Sequence, residues 1–236
     1  MLRHERECIE LRTQGCGVRW SAHNAVETPV SPELLADKDA VVIGGSGDFS
    51  VYDPRSRPWV DPLVALIGEA LEQQIPGFGI CFGHQLLGEV MGGTVALDPA
   101  SAEAGTVRLE LTAAGAADPV FGRLDRQFWA HTGHTDRVAE VPAGVELLAF
   151  GGTLTTQAFR VRGAPFWSAQ FHPDLTGAEA QSRYLAYQAA LGSPAVERES
   201  PGPDRFQSGA DETAQLLAWF LVMVQLGSWS TGTHVR

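Results

Sequence analysis

Three kinds of feature are scarce in this chain of 236 residues, and each scarcity excludes a class of protein. Cysteine occurs only at positions 8, 16 and 81, and an odd count argues against a disulfide framework. Lys and Arg number 17 against 28 Asp and Glu, without a dense basic cluster, so no nucleic-acid partner is expected. The longest apolar run, LLAWFLVMV at 216–224, is too short to cross a bilayer, so no membrane partner is expected either.

Motifs for metals and nucleotides are also missing. Cys8 and Cys16 have neither a C-x-x-C arrangement nor a nearby His pair, which argues against zinc. His131 and His134 are three residues apart, but their Thr and Gly neighbours favour a pocket-lining loop over a metal site. GGSGDFS at 44–50 lacks the Lys-Ser/Thr of a P-loop. No metal and no cofactor are therefore expected.

The composition that remains favours one folded domain in a reducing compartment. Hydrophobic residues make up 44% of the chain, and its length suffices for a single α/β domain with a core. The first residues, MLRHERECIELR, are charged and lack the apolar centre of a signal peptide. A cytoplasmic protein is the expectation.

Strand-like runs that end in glycine alternate with helical patterns in the first hundred residues. DAVVIGG at 39–45 and IPGFGI at 75–80 predict buried parallel strands. The segment at 61–74, DPLVALIGEALEQQ, predicts a helix with Asp61 as its N-cap and proline at its first position. GHQLLGEVMGG at 83–93 predicts the next helix. This order predicts an α/β fold with a parallel sheet.

The second half of the chain predicts a more antiparallel portion and a separate C-terminal helix. Short strand-like runs separated by turn residues occur at 106–112, 127–132, 145–150, 156–161 and 166–171. The predicted organisation is a domain over 1–192, a Pro/Gly-rich loop over 193–208, and a segment over 209–236 whose helix packs on the domain. An oligomer contact is the alternative role for that helix.

Cys81 lies directly between a predicted strand and a predicted helix, in the string GICFGHQ at 79–85. A residue on such a tight turn points outward, and Gly79 and Gly83 give the backbone room to bend. The dipole of the following helix favours a thiolate at Cys81. The backbone N–H of Phe82 would face an oxyanion that forms beside the sulfur.

A base for such a thiol is predicted in the string QFHPD at 170–174. A strand that ends at His172 would place its imidazole, with Asp174 nearby, at the edge of the sheet where strand carboxyl ends meet. The predicted roles are Cys81 as nucleophile, His172 as base and then acid, and Asp174 as the carboxylate that orients His172.

Together, GICFGHQ and QFHPD resemble the paired motifs of the class I glutamine amidotransferases of the triad type, G-x-C-x-G-x-Q and H-P-E. The resemblance extends over 39–191 and is nearest to the stand-alone group similar to the amidotransferase half of GMP synthase. It includes AEAG at 102–105, similar to a Glu-x-Gly element, and HTGHTDRV at 131–138, similar to S-H-x-D-x-V. The implied fold is three-layered and flavodoxin-like, with a mostly parallel sheet between helices and a smaller antiparallel portion.

The resemblance also implies how the substrate is bound. Gly44 and Gly45 occupy the place of the family's oxyanion loop, with Gly45 as the second donor beside Phe82. Gln85 would contact the bound glutamine. The backbone around Gly133 and His134 would hold the amino-acid end of the substrate.

This chain departs from the family pattern in two places. Asp174 stands where the family has Glu, so its carboxylate is one methylene shorter and its backbone must lie closer to the histidine. HERECIELRTQGCGV at 4–18 has the pattern of the family's first helix, so the strand that precedes that helix is expected to be missing.

Three functional hypotheses follow. The first is an amidotransferase or glutaminase that forms a thioester with glutamine and either acts alone or passes ammonia to a separate synthetase subunit. The second is a γ-glutamyl peptidase, whose leaving group would meet the acidic and aromatic residues Asp48, Phe49 and Tyr52. The third is a non-catalytic binding or regulatory relative.

Overall fold

A computed structural model of the chain describes residues 2–47, 49–191, 205–227 and 229. The helices are α1 (Leu2–Arg12), α2 (Arg57–Glu72), α3 (Phe82–Val90), α4 (Ala113–Ala117), α5 (Gly177–Leu191) and α6 (Leu216–Leu226). The strands are β1 (Val41–Ile43), β2 (Gly77–Ile80), β3 (Val95–Leu97), β4 (Glu103–Leu111), β5 (Gln127–His134), β6 (Asp136–Val138), β7 (Val145–Gly151), β8 (Ala158–Val161) and β9 (Phe166–Ala169).

Seven strands form one mixed sheet in the order β1-β2-β9-β8-β7-β4-β5, and β3 pairs with β6 in a separate two-stranded sheet. The pairings β1–β2 and β2–β9 are parallel. The remaining four pairings of the large sheet are antiparallel. The predicted α/β fold with a parallel and an antiparallel portion is confirmed, and the antiparallel portion accounts for most of the pairings.

The parallel strands β1, β2 and β9, at one end of the sheet, position the candidate site. Every residue of β2 and of β9 is buried, as expected for strands covered on both faces by helices. The register pairs Ile80 at the end of β2 with Ala169 at the end of β9. Cys81 and the segment that carries His172 therefore leave the sheet at the same edge, where α/β proteins place their sites.

The core has two parts, one on each face of the sheet. On one face, α2 and α3 pack with residues such as Ile67 and Leu86, both almost fully buried. On the other face, Phe220 of α6 contacts Phe78 of β2, with ring centroids 5.6 Å apart. Burying a phenylalanine of this kind stabilises the fold by about 1.5–3 kcal/mol. The C-terminal helix thus closes one face of the sheet.

The start of the second helix differs from the sequence-based prediction. The second helix begins at Arg57 rather than after Asp61, so Pro62 lies inside it, because Pro58 already provides the proline suited to a helix start. Before Val41 the described residues contain α1 and a short 3₁₀ turn but no strand. The predicted loop over 193–208 lies largely outside the described residues, as does Asp48. None of the described helices is long and apolar enough to span a membrane.

Candidate active site

Cys81 connects β2 to α3 in a backbone conformation that residues with a side chain rarely adopt, with φ 50° and ψ −96°. A Cβ on Gly79 would lie 2.5 Å from the carbonyl oxygen of Gly83. A Cβ on Gly83 would lie 2.3 Å from the carbonyl oxygen of Ile43. Only glycine fits at either position, so both are required for the turn. A non-glycine residue with this φ stores strain of order 1–3 kcal/mol, a cost that clusters at functional sites.

The glycine loop after β1 is fastened to this turn. The N–H of Gly83 donates to the carbonyl of Gly44 at 3.2 Å. Gly45 consequently lies beside the two side chains of interest, since a Cβ built on it would be 3.1 Å from Cε1 of His172 and 3.7 Å from Cβ of Cys81. The loop predicted to supply an oxyanion donor is therefore next to the sulfur.

The two predicted oxyanion donors, the N–H groups of Phe82 and Gly45, differ in whether they already have a hydrogen-bond acceptor. Within the part of the chain that the structure describes, no group accepts a hydrogen bond from the N–H of Phe82. The N–H of Gly45 donates to the Glu5 carboxylate of α1 at 2.5 Å. Burial and the charge of Asp174 raise the pKa of Glu5, while Arg183 and the Gly45 hydrogen bond oppose that rise.

His172 and Asp174 form a directly bonded pair, with Nδ1 3.0 Å from Oδ1. Asp174 is fully buried, and its second oxygen accepts a hydrogen bond from Nη2 of Arg183 at 2.9 Å. The backbone N–H of His172 donates to the carbonyl of His131 at 2.8 Å, which fixes the segment against β5. Aspartate in place of the family's glutamate therefore still reaches the imidazole.

The electrostatics of this pair favour a charged histidine. Burial lowers the pKa of His172, but the charge and hydrogen bond of Asp174, together with the nearby Cys81 sulfur, outweigh it and raise the pKa to about 10. Burial raises the pKa of Asp174, but His172 and Arg183 outweigh it and lower the pKa to about 2. At neutral pH an imidazolium next to Cys81 can therefore donate a proton.

Two buried glutamines form a chain that leads to the sulfur. Nε2 of Gln170 lies 3.6 Å from the Sγ atom of Cys81. Nε2 of Gln85 donates to the carbonyl of Asp136 at 2.9 Å and lies 3.4 Å from Oε1 of Gln170. Gln85 lines the same cavity as Cys81, and its amide is engaged with the protein.

Gly133 and His134 end β5 at the same cavity. The register of β4 and β5 places Glu103, from the Glu-x-Gly element, opposite His134. Nε2 of His134 lies 3.2 Å from a Glu103 oxygen, which also accepts a hydrogen bond from Gln157 at 2.6 Å. The buried carboxylate thus supports the end of the strand that is predicted to hold the substrate's amino-acid end.

His131 is fully buried and engaged on both ring nitrogens. Nδ1 lies 3.1 Å from the hydroxyl of Thr106, and Nε2 lies 3.0 Å from a carboxylate oxygen of Asp211. Among the described residues, no group of three His, Cys, Asp or Glu side chains is arranged to bind a metal ion. His131 therefore fastens the chain before α6 to β5.

The cavity that contains Cys81, His172 and Gly45 has a volume of about 740 Å³. One wall is aromatic. The ring of Trp59 lies 5.2 Å from that of Phe49 and 5.4 Å from that of Phe82, between centroids. The Tyr52 hydroxyl donates to Asp136 at 3.2 Å, but Tyr52 itself does not line the cavity, whereas Phe49 does.

Three residues of the site were not predicted from the sequence. Gln170 stands at the start of the motif QFHPD, directly after the end of β9, so its place in the motif was the signal that could have found it. Glu5 lies 40 residues before Gly45 and Arg183 lies nine residues after Asp174, and the helical patterns around them give no sign of the contacts they make.

Comparison with known proteins agrees with this geometry. Residues 6–190 match the family model described as glutamine amidotransferase class-I. A glutamine-hydrolyzing GMP synthase of Parafrankia sp. (strain EAN1pec) is 30% identical over 187 residues, which are 79% of this chain and 33% of that relative. A subunit of the glutamine-hydrolyzing GMP synthase of Sulfurisphaera tokodaii is 31% identical over 153 residues, 64% of this chain and 76% of the relative.

Solved structures show the same fold. The crystal structure of a glutamine amido transferase from Methylobacillus flagellatus superposes with a TM-score of 0.69 at 22% identity, over 95% of this chain and 91% of that one. The chain spans about a third of the length of the Parafrankia relative, so it corresponds to one part of that protein. Because the family model covers most of the chain, the chain belongs to the class-I glutamine amidotransferases, a family of cysteine-nucleophile amidohydrolases.

Proposed function

We propose that this chain hydrolyses the side-chain amide of glutamine through a thioester at Cys81. The observation that carries the proposal is the meeting of a strained Cys81 with the bonded His172–Asp174 pair at one edge of the parallel strands. Burial of both members of the pair, and their opposite pKa shifts, suit proton transfer in a site shielded from water.

In the proposed reaction the Cys81 thiol passes its proton to His172, and the sulfur attacks the amide carbon of glutamine. The oxyanion is stabilised by the N–H groups of Gly45 and Phe82. The tetrahedral intermediate collapses when His172 protonates the departing nitrogen, which leaves as ammonia, and a thioester remains on Cys81. Water, deprotonated by His172, then attacks the thioester and releases glutamate and the free thiol. Asp174 orients the imidazole through both halves of the reaction.

The substrate's amino-acid end is proposed to lie against the end of β5. The backbone of Gly133 and His134 faces the cavity there, and the hydrogen bonds of Glu103 hold that strand end in place. Gln85 completes the wall, where it would contact the bound glutamine as the family resemblance implies.

The ammonia is proposed to pass to a separate synthetase subunit. The relative from Sulfurisphaera tokodaii is named as one subunit of a GMP synthase, which supports an arrangement of separate subunits. The cytoplasm remains the proposed location, because a nucleophilic thiol functions in its reduced form.

A γ-glutamyl compound larger than glutamine is the second candidate substrate. The specific observation in its favour is the cavity volume of about 740 Å³ together with the apolar wall of Phe49 and Trp59. Such a wall would bind an organic leaving group, whereas ammonia, the leaving group of glutamine, does not need an apolar wall.

Incubation of the purified protein with glutamine, followed by glutamate assay and mass spectrometry of Cys81, tests the proposal. We expect glutamate release and a transient thioester, both absent in Cys81→Ala. A parallel series of γ-glutamyl peptides separates the two substrates through their kcat/KM values. The proposal is excluded if neither glutamate nor a thioester is detected under any of these conditions, with or without a synthetase partner.

A further inference from the structure

The carboxylate of Asp174 is bound at both oxygens, and the second partner comes from α5. Arg183 Nη2 donates to Oδ2 at 2.9 Å, while Oδ1 faces His172. Arg183 Nη1 lies 3.4 Å from Nδ1 of His172. The Arg183 side chain is only 11% exposed, so its contact with the fully buried carboxylate is shielded from solvent.

We propose that Arg183 is a positioning residue that fixes the Asp174 carboxylate in the orientation His172 needs, an inference that rests on the proposed function. An aspartate side chain has one rotatable bond fewer than a glutamate side chain, so it can reach the imidazole in fewer orientations. A carboxylate held at one oxygen alone can still rotate about its Cβ–Cγ bond. The planar guanidinium removes that freedom by bonding the other oxygen in a defined direction.

Several charged or titratable groups face Asp174. His172 is on its own segment, Arg183 is on α5, and α1 contributes Glu5 and Cys8. Glu5 repels the aspartate, whereas the two cations attract it. Loss of Arg183 should therefore leave Asp174 easier to protonate, because one of the two cations that oppose its burial is gone.

Arg183→Met and Arg183→Lys test this role, with Arg12→Met as the matched control. Arg12 also connects α1 and α5, since it is 13% exposed and paired with Glu179 at 3.1 Å. We expect Arg183→Met to slow thioester formation about 10²-fold, the effect of a misplacement of about 1 Å in a site of this kind. Arg183→Lys should recover part of that loss, and Arg12→Met should stay within a few-fold of the wild type.

A second readout separates positioning from a purely structural role. In the Cys81→Ala background, carboxyl ¹³C NMR should show Asp174 titrating at higher pH in Arg183→Met but not in Arg12→Met. The proposal is overturned if Arg183→Met is no slower than Arg12→Met, or if the Asp174 titration does not move. A wild-type protein without thioester formation would count against the proposed function, and the NMR titration would still decide whether Arg183 governs the carboxylate.

The Glu5 carboxyl group lies at the position proposed for the oxyanion of the tetrahedral intermediate. Its carboxylate accepts the Gly45 N–H at 2.5 Å, and that N–H is one of the two proposed oxyanion donors. Burial and the charge of Asp174 raise the pKa of Glu5, whereas Arg183, the Gly45 hydrogen bond and His172 lower it. The Glu5 oxygen accepts the Gly45 N–H in either protonation state, and in doing so it takes the hydrogen bond that the oxyanion would need.

We infer that Glu5 blocks the oxyanion hole in this conformation and that its side chain must withdraw before the substrate amide can be attacked. The block competes with the substrate for one hydrogen bond and one position. A protein whose binding-competent form is a minor population binds its ligand more weakly by that fraction. Removal of the block should therefore lower KM more than it raises kcat.

Glu5→Ala tests the block, and Glu7→Ala is its control, since Glu7 is on the same helix with its side chain 56% exposed. We expect Glu5→Ala to lower KM for glutamine about tenfold, the result for a competent form populated at about a tenth. Hydrogen exchange at the Gly45 amide should accelerate in Glu5→Ala, whether or not glutamine is a substrate. An unchanged or higher KM, or an exchange rate equal to that of Glu7→Ala, would refute the block.

Discussion

The two sides of the candidate site are built in different ways. On one side, which we call the turn side, Cys81 is placed by its own neighbours, because Gly79 and Gly83 shape the turn and the β2–β9 register sets its direction. On the other, the helix side, Glu5 and Arg183 reach the site from α1 and α5, through side-chain hydrogen bonds at 2.5 Å and 2.9 Å.

The turn side determines which reaction the site can catalyse, and the helix side is proposed to determine its rate and its availability to substrate. The turn side supplies the sulfur and the backbone N–H groups, which depend on main-chain geometry. The helix side supplies the Arg183 guanidinium, proposed to orient Asp174, and the Glu5 carboxyl group, proposed to block the oxyanion hole. Backbone geometry changes little when a surface side chain changes, whereas a helix contact can be lost through a single substitution. We therefore expect substitutions on the two sides to differ in kind as well as in size.

The largest effect is expected from Cys81→Ala, which removes the proposed nucleophile and leaves Glu5 of α1 and Arg183 of α5 in place. Glutamate release should fall at least about 10⁴-fold, as when a covalent nucleophile is deleted elsewhere. A stopped assay with mass spectrometry measures it. Cys8→Ala is the control, because burial raises the pKa of Cys8 to about 11 and keeps it a protonated thiol. Activity retained in Cys81→Ala would remove the turn side from the mechanism.

The next largest effect is expected from Asp174→Asn, at the meeting point of the two sides. The amide cannot carry the charge that raises the pKa of His172, and it places a donor group against the imidazole or the guanidinium. We expect kcat to fall about 10²- to 10⁴-fold, in line with loss of the orienting aspartate in a catalytic triad. Asp174→Glu should retain more activity than Asp174→Asn, and the reverse order would contradict the orienting role.

A smaller effect is expected from Gly83→Ala, which tests the turn without altering any charge. The added Cβ would meet the Ile43 carbonyl oxygen, so backbone must shift. Overpacking of this kind costs about 1–3 kcal/mol of unfolding free energy. Gly68→Ala is the control, since Gly68 lies in α2 with open space around it and should gain up to about 1 kcal/mol. Urea unfolding measures both, and equal stabilities would show that the turn tolerates a side chain.

The pH dependence of stability is expected to follow the charges of His172 and Asp174. His172 has its pKa raised to about 10, so the stability from its charged form is complete below its unfolded value of about 6.5 and is lost as the pH rises towards 10. Asp174 acts in the opposite direction, and its contribution is lost as the pH falls from about 4 towards 2. Thermal stability of the wild type should decline between pH 6.5 and 10 by more than that of His172→Gln. Parallel curves for the two proteins would contradict the raised pKa.

The turn side could be predicted from the sequence because its causes are local. Glycines two residues before and after Cys81 indicate a tight turn, and a strand that ends at His172 indicates a second group at the same edge. The family resemblance added the glycine loop at Gly44 and Gly45. Membership of that family is confirmed, while the role of each residue stays a proposal until the substitutions above are made.

The helix side could not be predicted because its contacts depend on how distant elements pack. Glu5 lies 40 residues from Gly45 in sequence, and an acidic residue in the first turn of a helix is ordinarily explained by the helix dipole. Arg183 lies in the middle of α5, where an arginine is usually a solvated side chain. The predicted start of α2 was wrong for a related reason, since Pro58 and Pro62 are both compatible with a helix start and local preference alone does not choose between them.

The hydrogen bond from the His172 N–H to the His131 carbonyl has a consequence for engineering. This bond joins the segment that carries His172 to β5. The end of β5 that is proposed to bind the substrate, at Gly133, lies two residues after His131. Any change that displaces β5 will carry the imidazole with it. Attempts to widen the range of accepted substrates by remodelling that strand should therefore lose turnover together with affinity, and the aromatic wall of Phe49 and Trp59 is the better place to begin.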